Sequence, residues 1–294
     1  MINSRSNQPA TAVYVAGGCG RVWWRRLIRN RSLAIGGALT AAVFLTAIAA
    51  PVLAPHDPLA VHPQRTLEAP SREFWLGTDD LGRDNLSQDI YGTRLSLQVG
   101  LGSVALGITG GVPWGLVSGY SGGTSGYLLM RVAELVLVFP SLVLALVIRA
   151  LLGPGVLDLV VAIGVTLMPA LARVVRGEVL SIRERDFVTA AVATGARESR
   201  ILIRQVLPNV LEVIVVLGAV YTGRAILTEA SLSFLGFGAP PPAPSWGRIL
   251  SEGFPYLALT PWPSLTAGAA LFVTILAVYL VGDGARRVLH RDPA

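Results

Sequence analysis

No lysine occurs in this chain of 294 residues; all 24 basic side chains are arginine. A P-loop of the form G-x-x-x-x-G-K-[ST] sets a lysine on the transferred phosphates, so the chain carries no Walker-type ATPase site. Cysteine appears once, at Cys19, which excludes an internal disulfide, a Cys-x-x-Cys redox pair and a multi-cysteine zinc site. Lipid attachment at Cys19 would need an apolar run before it, and residues 1–18 are not apolar. Charge of either sign is scarce: 14% of residues, against about 25% in a globular domain. With so few charges and a mean hydropathy of +0.59, neither a disordered chain nor an ordinary soluble domain fits.

What is present is a series of apolar runs. About 20 uncharged residues make a helix that spans roughly 30 Å of hydrocarbon. Residues 33–53 form such a run, preceded by Arg5, Arg21, Arg25, Arg26, Arg29 and Arg31 and by no acid, which reads as a retained signal-anchor helix rather than a cleaved signal peptide. Residues 54–94 are polar, hold seven acids, and read as an external loop. The core at 95–282 should hold five more spans, at about 95–118, 127–149, 156–172, 211–232 and 264–282, with an inner loop at 173–209. Residues 1–32 and 283–294 are then cytoplasmic tails. Sixteen arginines fall on the inner side and six on the outer, a positive-inside bias that accounts for the isoelectric point near 10.1 without nucleic acid.

Within the inner loop, Ala190-Ala191 is followed by Gly195 and then by Leu207-Pro208. Small residues let a short helix approach another protein closely, and Gly195 permits a sharp turn out of it. Pro208 would open the next span, where its missing N–H costs least. The result is a rigid knob. The bland alternative is an amphipathic helix on the lipid surface, since Arg197, Arg200 and Arg204 recur at near-helical spacing; the Ala-Ala-x-x-x-Gly element has little apolar bulk to insert.

Arg131, Glu134, Arg224 and Glu229 fall inside spans, at a cost of roughly 2.5–3.5 kcal/mol each unless partnered or wetted. Arg131 and Glu134 lie three apart and can pair on one helix face. Arg224 and Glu229 lie five apart, point to different sides, and need other helices or a translocation pathway. Gly119-Tyr-Ser121-Gly-Gly123 fits the G-x-S-x-G nucleophile pattern, but His56, His62 and His290 all lie outside the spans, so no base is at hand and the run reads as a turn.

The Ala-Ala-x-x-x-Gly spacing resembles the E-A-A-x-x-x-G loop of ABC importer permeases. Further segments are similar to the dipeptide, oligopeptide and nickel subgroup, shorter (C-type) subunit: Trp75-Leu76-Gly77-Thr78-Asp79-Asp80-Leu81-Gly82-Arg83-Asp84, Leu227-Thr228-Glu229-Ala230-Ser231-Leu232-Ser233-Phe234-Leu235-Gly236, Pro244-Ser245-Trp246-Gly247 and Gly282-Asp283-Gly284. The likeness runs from about residue 25 to 292 and departs at one point, Thr189 standing where the family has glutamate; Glu184 and Asp186 could supply the charge. It implies an all-α membrane protein of the type I ABC importer permease fold, with six spans and both termini cytoplasmic, in a bacterial inner membrane. It also implies a non-catalytic permease subunit, working with a homologous second permease, two cytoplasmic ABC ATPase subunits and an external substrate-binding protein. No cofactor is expected in this chain, ATP and Mg being held by the ATPases. Coupling would fall to Phe187, Val188, Thr189, Ala190, Ala191, Thr194, Gly195, Ala196 and Arg197. Peptides are the expected cargo, nickel or another small solute the alternative. An ion-coupled secondary transporter is a distant alternative, since no inverted repeat or pair of broken helices is evident. A membrane enzyme is disfavoured by spans that lack histidine, cysteine and lysine.

Overall fold

The computed structural model describes residues 30–289. Among the described residues the fold is helical, with no strand beyond an isolated bridge between Thr78 and Asp84. Helix α1 (Arg31–Ile48) is capped by Asn30, whose side chain accepts from the Ser32 and Leu33 amides, and a one-residue break at Ala49 leads to α2 (Ala50–Leu53). Pro51 has no N–H for the Ala47 carbonyl one turn back, and the Arg94 Nε donates to that oxygen instead, at 2.6 Å. There follow α3 (Asn85–Tyr120), α4 (Gly123–Val138), α5 (Ser141–Leu152), α6 (Val156–Arg183), α7 (Asp186–Ala193), α8 (Glu198–Ile201), a π-type turn at Leu202–Val206, α9 (Leu207–Phe234), α10 (Trp246–Gly253) and α11 (Trp262–Leu289). Helices α1, α3, α6, α11 and the continuous run from α8 to α9 are long and apolar enough to cross a bilayer. The pair α4–α5 makes a sixth crossing only if its two halves count as one.

Four sequence expectations are corrected. The second span begins at Asn85, not near 95, because Asn85, Ser87, Gln88, Asp89 and Thr93 are buried against protein rather than exposed in a loop. The third span is not one helix over 127–149: α4 and α5 meet at 91°. Pro140 denies the helix an N–H and drives Phe139 to an extended backbone (ψ 136°), which ends α4. The fourth span does not stop near 172 but runs to Arg183, so the first third of the supposed inner loop is helix. Pro208 does not open the next span either; the helix is continuous from Glu198, and the turn before Pro208 widens so that the Leu207 amide reaches back five residues to the Leu202 carbonyl.

Helices α3 and α6 form the most intimate pair. Gly107, Gly111, Gly115 and Gly119 recur every fourth residue of α3, one row on one face. A Cβ at Gly111 would lie 2.7 Å from the Met168 carbonyl oxygen, at Gly115 2.6 Å from the Val175 Cβ, and at Gly119 2.8 Å from the Val179 Cβ. Water-excluding association between apolar helices rests on such contact, because lipid competes equally well for ordinary side chains. Around this seam one buried cluster gathers Leu159, Ile163, Leu167, Leu171, Tyr221 and Leu232, and a second gathers Val112, Leu116, Val175, Val179, Ile182, Val206 and Val210.

Gly115→Ala should therefore force the two helices apart and destabilise the protein by about 1–3 kcal/mol, as overpacking does. Gly177→Ala, with no atom within 4 Å of the added methyl, should be neutral or stabilising by up to about 1 kcal/mol. Thermal unfolding of the two variants in detergent reads the contrast.

Candidate functional site

At one end of the bundle, the knob end, α7 projects from the core. Asp186 occupies its first turn, where the helix dipole favours an acid. Its far end closes by two reversed bonds: the Gly195 amide donates to the Val192 carbonyl at 3.0 Å and the Ala196 amide to the Ala191 carbonyl at 3.1 Å. This closure needs a left-handed residue, and Gly195 has φ +75°. A Cβ there would touch nothing, so the demand is conformational alone.

The structure divides the expected coupling residues into two sets. Val188 and Ala191 face inward and pack with Val179, Ile182, Ile201 and Val206. Phe187, Thr189, Ala190, Thr194, Gly195 and Arg197 are exposed, Ala196 partly so. The two small residues thus have different tasks: Ala191 lets α7 sit close on its own core, and Ala190 leaves the outer surface low. Phe187 and Val192 are 41% and 58% exposed, an apolar surface on a helix the core already holds.

The intramembrane charges also separate. Arg131 meets Glu134 at 2.8 Å and lies over the Tyr127 ring at 4.6 Å, all on an exposed face of α4. Glu229 is fully buried and accepts from Ser96 Oγ on α3 at 3.0 Å and Ser233 Oγ at 2.7 Å, so its partner is another helix. Arg224 is exposed, with Ser141 Oγ 3.5 Å away. Ser121 stands at the end of α3, exposed, next to the turn that opens α4.

Sequence reading gave the Trp75–Asp84 motif no task; the structure makes it a latch at the opposite, loop end. Asp79 Oδ1 accepts from the amides of Leu81 and Arg83, and its Oδ2 from Arg83 Nε at 2.6 Å and Gln88 Nε2 at 2.7 Å. Arg83 also reaches Glu252 of α10 at 2.6 Å, and Arg248 holds the other Glu252 oxygen at 2.7 Å. Asp84 caps α3 through the Ser87 amide at 3.0 Å. Trp246, fully buried, donates from Nε1 to the Asp89 carbonyl at 3.1 Å. Arg149 completes this end, spreading onto the carbonyls of Gly153, Gly155, Phe237 and Gly238 and so tying the α5–α6 turn to the segment after α9. Carboxylate oxygens of Asp79, Asp80 and Glu252 lie within 4.8 Å of one another, but Arg83 and Arg248 already occupy two of the three as counter-ions.

A bundle of apolar helices with a broken third crossing, a projecting knob and a latched opposite end defines a polytopic membrane component. Residues 111–293 match the family model described as binding-protein-dependent transport system inner membrane component, and residues 20–70 match that of the N-terminal TM domain of oligopeptide transport permease C. The chain belongs to the binding-protein-dependent transport system inner membrane component family, which is a transport component and not a catalyst. It is 37% identical over 288 residues to the dipeptide transport system permease protein DppC of Alkalihalophilus pseudofirmus, covering 98% of this chain and 94% of that one. To the glutathione transport system permease protein GsiD of Pectobacterium atrosepticum it is 38% identical, covering 93% and 90%. To the oligopeptide transport system permease protein OppC of Bacillus subtilis it is 34% identical, covering 92% and 90%. Among solved structures, an inward-facing MetNI methionine ABC transporter aligns with TM-score 0.59 at 19% identity, over 69% of this chain and 97% of that one, a likeness of fold.

The latch yields a stability prediction. Burial, and after it the neighbouring Asp79 and Glu252, push the Asp80 carboxyl above its ordinary value, Arg83 opposing. The folded chain thus holds this proton to higher pH than the unfolded chain, and ionising Asp80 destabilises the fold as pH rises between the two values. Asp80→Asn should raise the unfolding temperature at pH 7, with the gain vanishing once pH falls below the carboxylate range. Arg83→Ala removes the counter-ion of buried Asp79 and one of the two on Glu252, and should cost about 3 kcal/mol in the same thermal scan.

Proposed function

We propose that this chain is one of the two transmembrane subunits of an ATP-driven importer of di- and oligopeptides in a bacterial inner membrane. It contributes half of the pathway and passes the ATPase motion to it. The partners are a homologous permease, two cytoplasmic ATPases that bind ATP and Mg, and an external substrate-binding protein. Support for the cargo comes from the relatives, whose names concern dipeptides, oligopeptides and glutathione.

The observation that carries the coupling role is α7 itself. Its inner side is fixed by Val188 and Ala191, its exit is set by Gly195, and Phe187, Ala190 and Val192 are left outward with no contact among the described residues that explains them. A helix of two turns so anchored moves as one piece with α6 and α9, the helices that hold it. When ATP closes the ATPase pair, the surface at 187–198 is carried with it and the bundle turns from inward-open to outward-open; hydrolysis resets it. Thr189 makes this contact neutral where the family has glutamate, with the exposed Glu184 and Asp186 on either side of Arg185 supplying negative charge. In this arrangement the knob end, the N-terminus and the C-terminus are cytoplasmic, and the latch faces outward.

Gly195→Val places a β-branched residue in the left-handed region, at a local cost of roughly 1–2 kcal/mol. Uptake and substrate-stimulated ATPase should fall several-fold while the membrane level of the protein persists; normal coupling in this variant would sink the lever. A reporter fused after residue 294 should remain cytoplasmic, and its export would overturn the orientation.

A further inference from the structure

At the latch end, a cleft of about 620 Å³ is lined by residues 54–59, which follow α2, by residues 242–244, which precede α10, and by Tyr91 of α3. Five of its eleven lining residues are proline, Pro51, Pro55, Pro58, Pro242 and Pro244, and proline presents a carbonyl without an N–H. The amides of Ala54, His56, Leu59 and Ala243 are already bonded, to the Ala50 carbonyl, Ser87 Oγ, Asp57 Oδ1 and the Pro240 carbonyl. One helical turn beyond the Pro51 carbonyl stands Pro55, which has no hydrogen to give it. Of the lining side chains that can donate, Tyr91 and His56, the histidine turns its Nδ1 to Asp84 at 3.5 Å. Asp57 is exposed, and no arginine lines the cleft. Walls so rich in acceptors and poor in donors suit a ligand group that donates several hydrogen bonds and carries positive charge.

The cleft lies at the height of lipid headgroups. Helices α1 and α2 together rise about 34 Å, close to the roughly 30 Å of a hydrocarbon core, and the first lining loop starts directly after Leu53. Ile48, Val52 and Leu53, at this end of the two helices, are 70%, 87% and 50% exposed. One turn inward from Tyr91 along α3 stands Arg94, exposed, its guanidinium carbon 5.8 Å from the centre of the Tyr91 ring. Its Nε donates to the Ala47 carbonyl at 2.6 Å, and its two terminal nitrogens have no carboxylate partner among the described residues. From water toward hydrocarbon the order is therefore an acceptor-rich cleft, a guanidinium and an apolar helix surface.

We propose that the cleft and Arg94 together hold the headgroup of a phosphatidylethanolamine molecule from the latch-side leaflet. The ammonium, with three N–H donors, enters the cleft beside Asp57, the phosphate meets the guanidinium one step inward, and the acyl chains follow the exposed apolar end of α1 and α2. The order of groups along the lipid is the order of their partners along the protein. Phosphatidylcholine brings a cation without N–H donors, and phosphatidylglycerol brings hydroxyls without a cation, so each answers only part of the site. Seated there, the lipid bridges the end of α2 and the loop before α10. The inference needs the chain to span a bilayer and is independent of the cargo.

The test uses the assembled complex, delipidated in detergent, with bound lipid counted by native mass spectrometry. Palmitoyl-oleoyl phosphatidylethanolamine should bind about five-fold more tightly than phosphatidylcholine of the same chains, the worth of one exposed ionic contact. Asp57→Asn keeps the oxygen that accepts from Leu59, and should erase that preference while leaving phosphatidylcholine binding as it was. Arg94→Gln should weaken both lipids. Equal affinities in wild type, a preference that survives Asp57→Asn, or unchanged binding in Arg94→Gln overturns the inference; Asp57, exposed on a loop, keeps the test independent of folding. Glycerophosphoethanolamine, which lacks acyl chains, should compete at least about a hundred-fold more weakly than the lipid. Equal competition would assign the cleft to a soluble phosphoamine and overturn the lipid. So would an absence of preference in wild type joined to weaker binding of the external substrate-binding protein by Asp57→Asn, which gives the cleft to a cationic side chain of that partner.

Discussion

Close approach of α3 to α6 along the glycine row is the contact on which the rest of this bundle depends. Nothing apolar is gained by hiding a leucine from lipid, so the attraction must come from dense backbone-level contact, and that requires the absence of side chains at Gly107, Gly111, Gly115 and Gly119. The two helices so joined have different terminal duties. Helix α3 begins in the latch, where Asp84 caps it and Gln88 binds Asp79. Helix α6 ends at Arg183, two residues before the knob. Helix α3, 36 residues or roughly 54 Å long, thus runs between the two specialised ends, and the seam ties its second half to α6.

Much of this was legible in the sequence, and the parts that were not share a cause. Apolar runs located the crossings, and Ala190-Ala191 with Gly195 located the knob, because length and a single left-handed position are local properties. The first ten residues of α3 read as loop because Asn85, Gln88 and Asp89 are polar; only contacts with Trp246 and Asp79 make that polarity internal. The break at Phe139-Pro140 lay in an apolar run whose hydropathy is indifferent to it. Arg173 and Arg176 read as the end of a span in sequence, yet α6 carries arginines on one face while Val175 and Val179 are buried on another. The glycine row has a spacing of four, but small size carries no hydropathy signal, so only the facing helix gives it meaning.

The motifs that carry the family likeness have mostly structural tasks. Asp79, Arg83 and Asp84 shape the latch, Ser245 caps α10 through the Arg248 amide, and Trp246 anchors α10 under α3. Gly284 lies where α11 passes Leu33, 2.6 Å from a would-be Cβ. The proposed coupling role falls instead on exposed residues with little local signal, those of the outward surface of α7.

The latch also has a consequence for biogenesis. Arg83 reaches Glu252, 169 positions further along the sequence. At a ribosomal pace of about 5–20 residues per second, the guanidinium leaves the tunnel roughly 8–34 s before its second carboxylate does. Asp79, four residues away, is its counter-ion for that interval, so the nascent segment is neutralised locally first and cross-linked to the distal half only when α10 arrives.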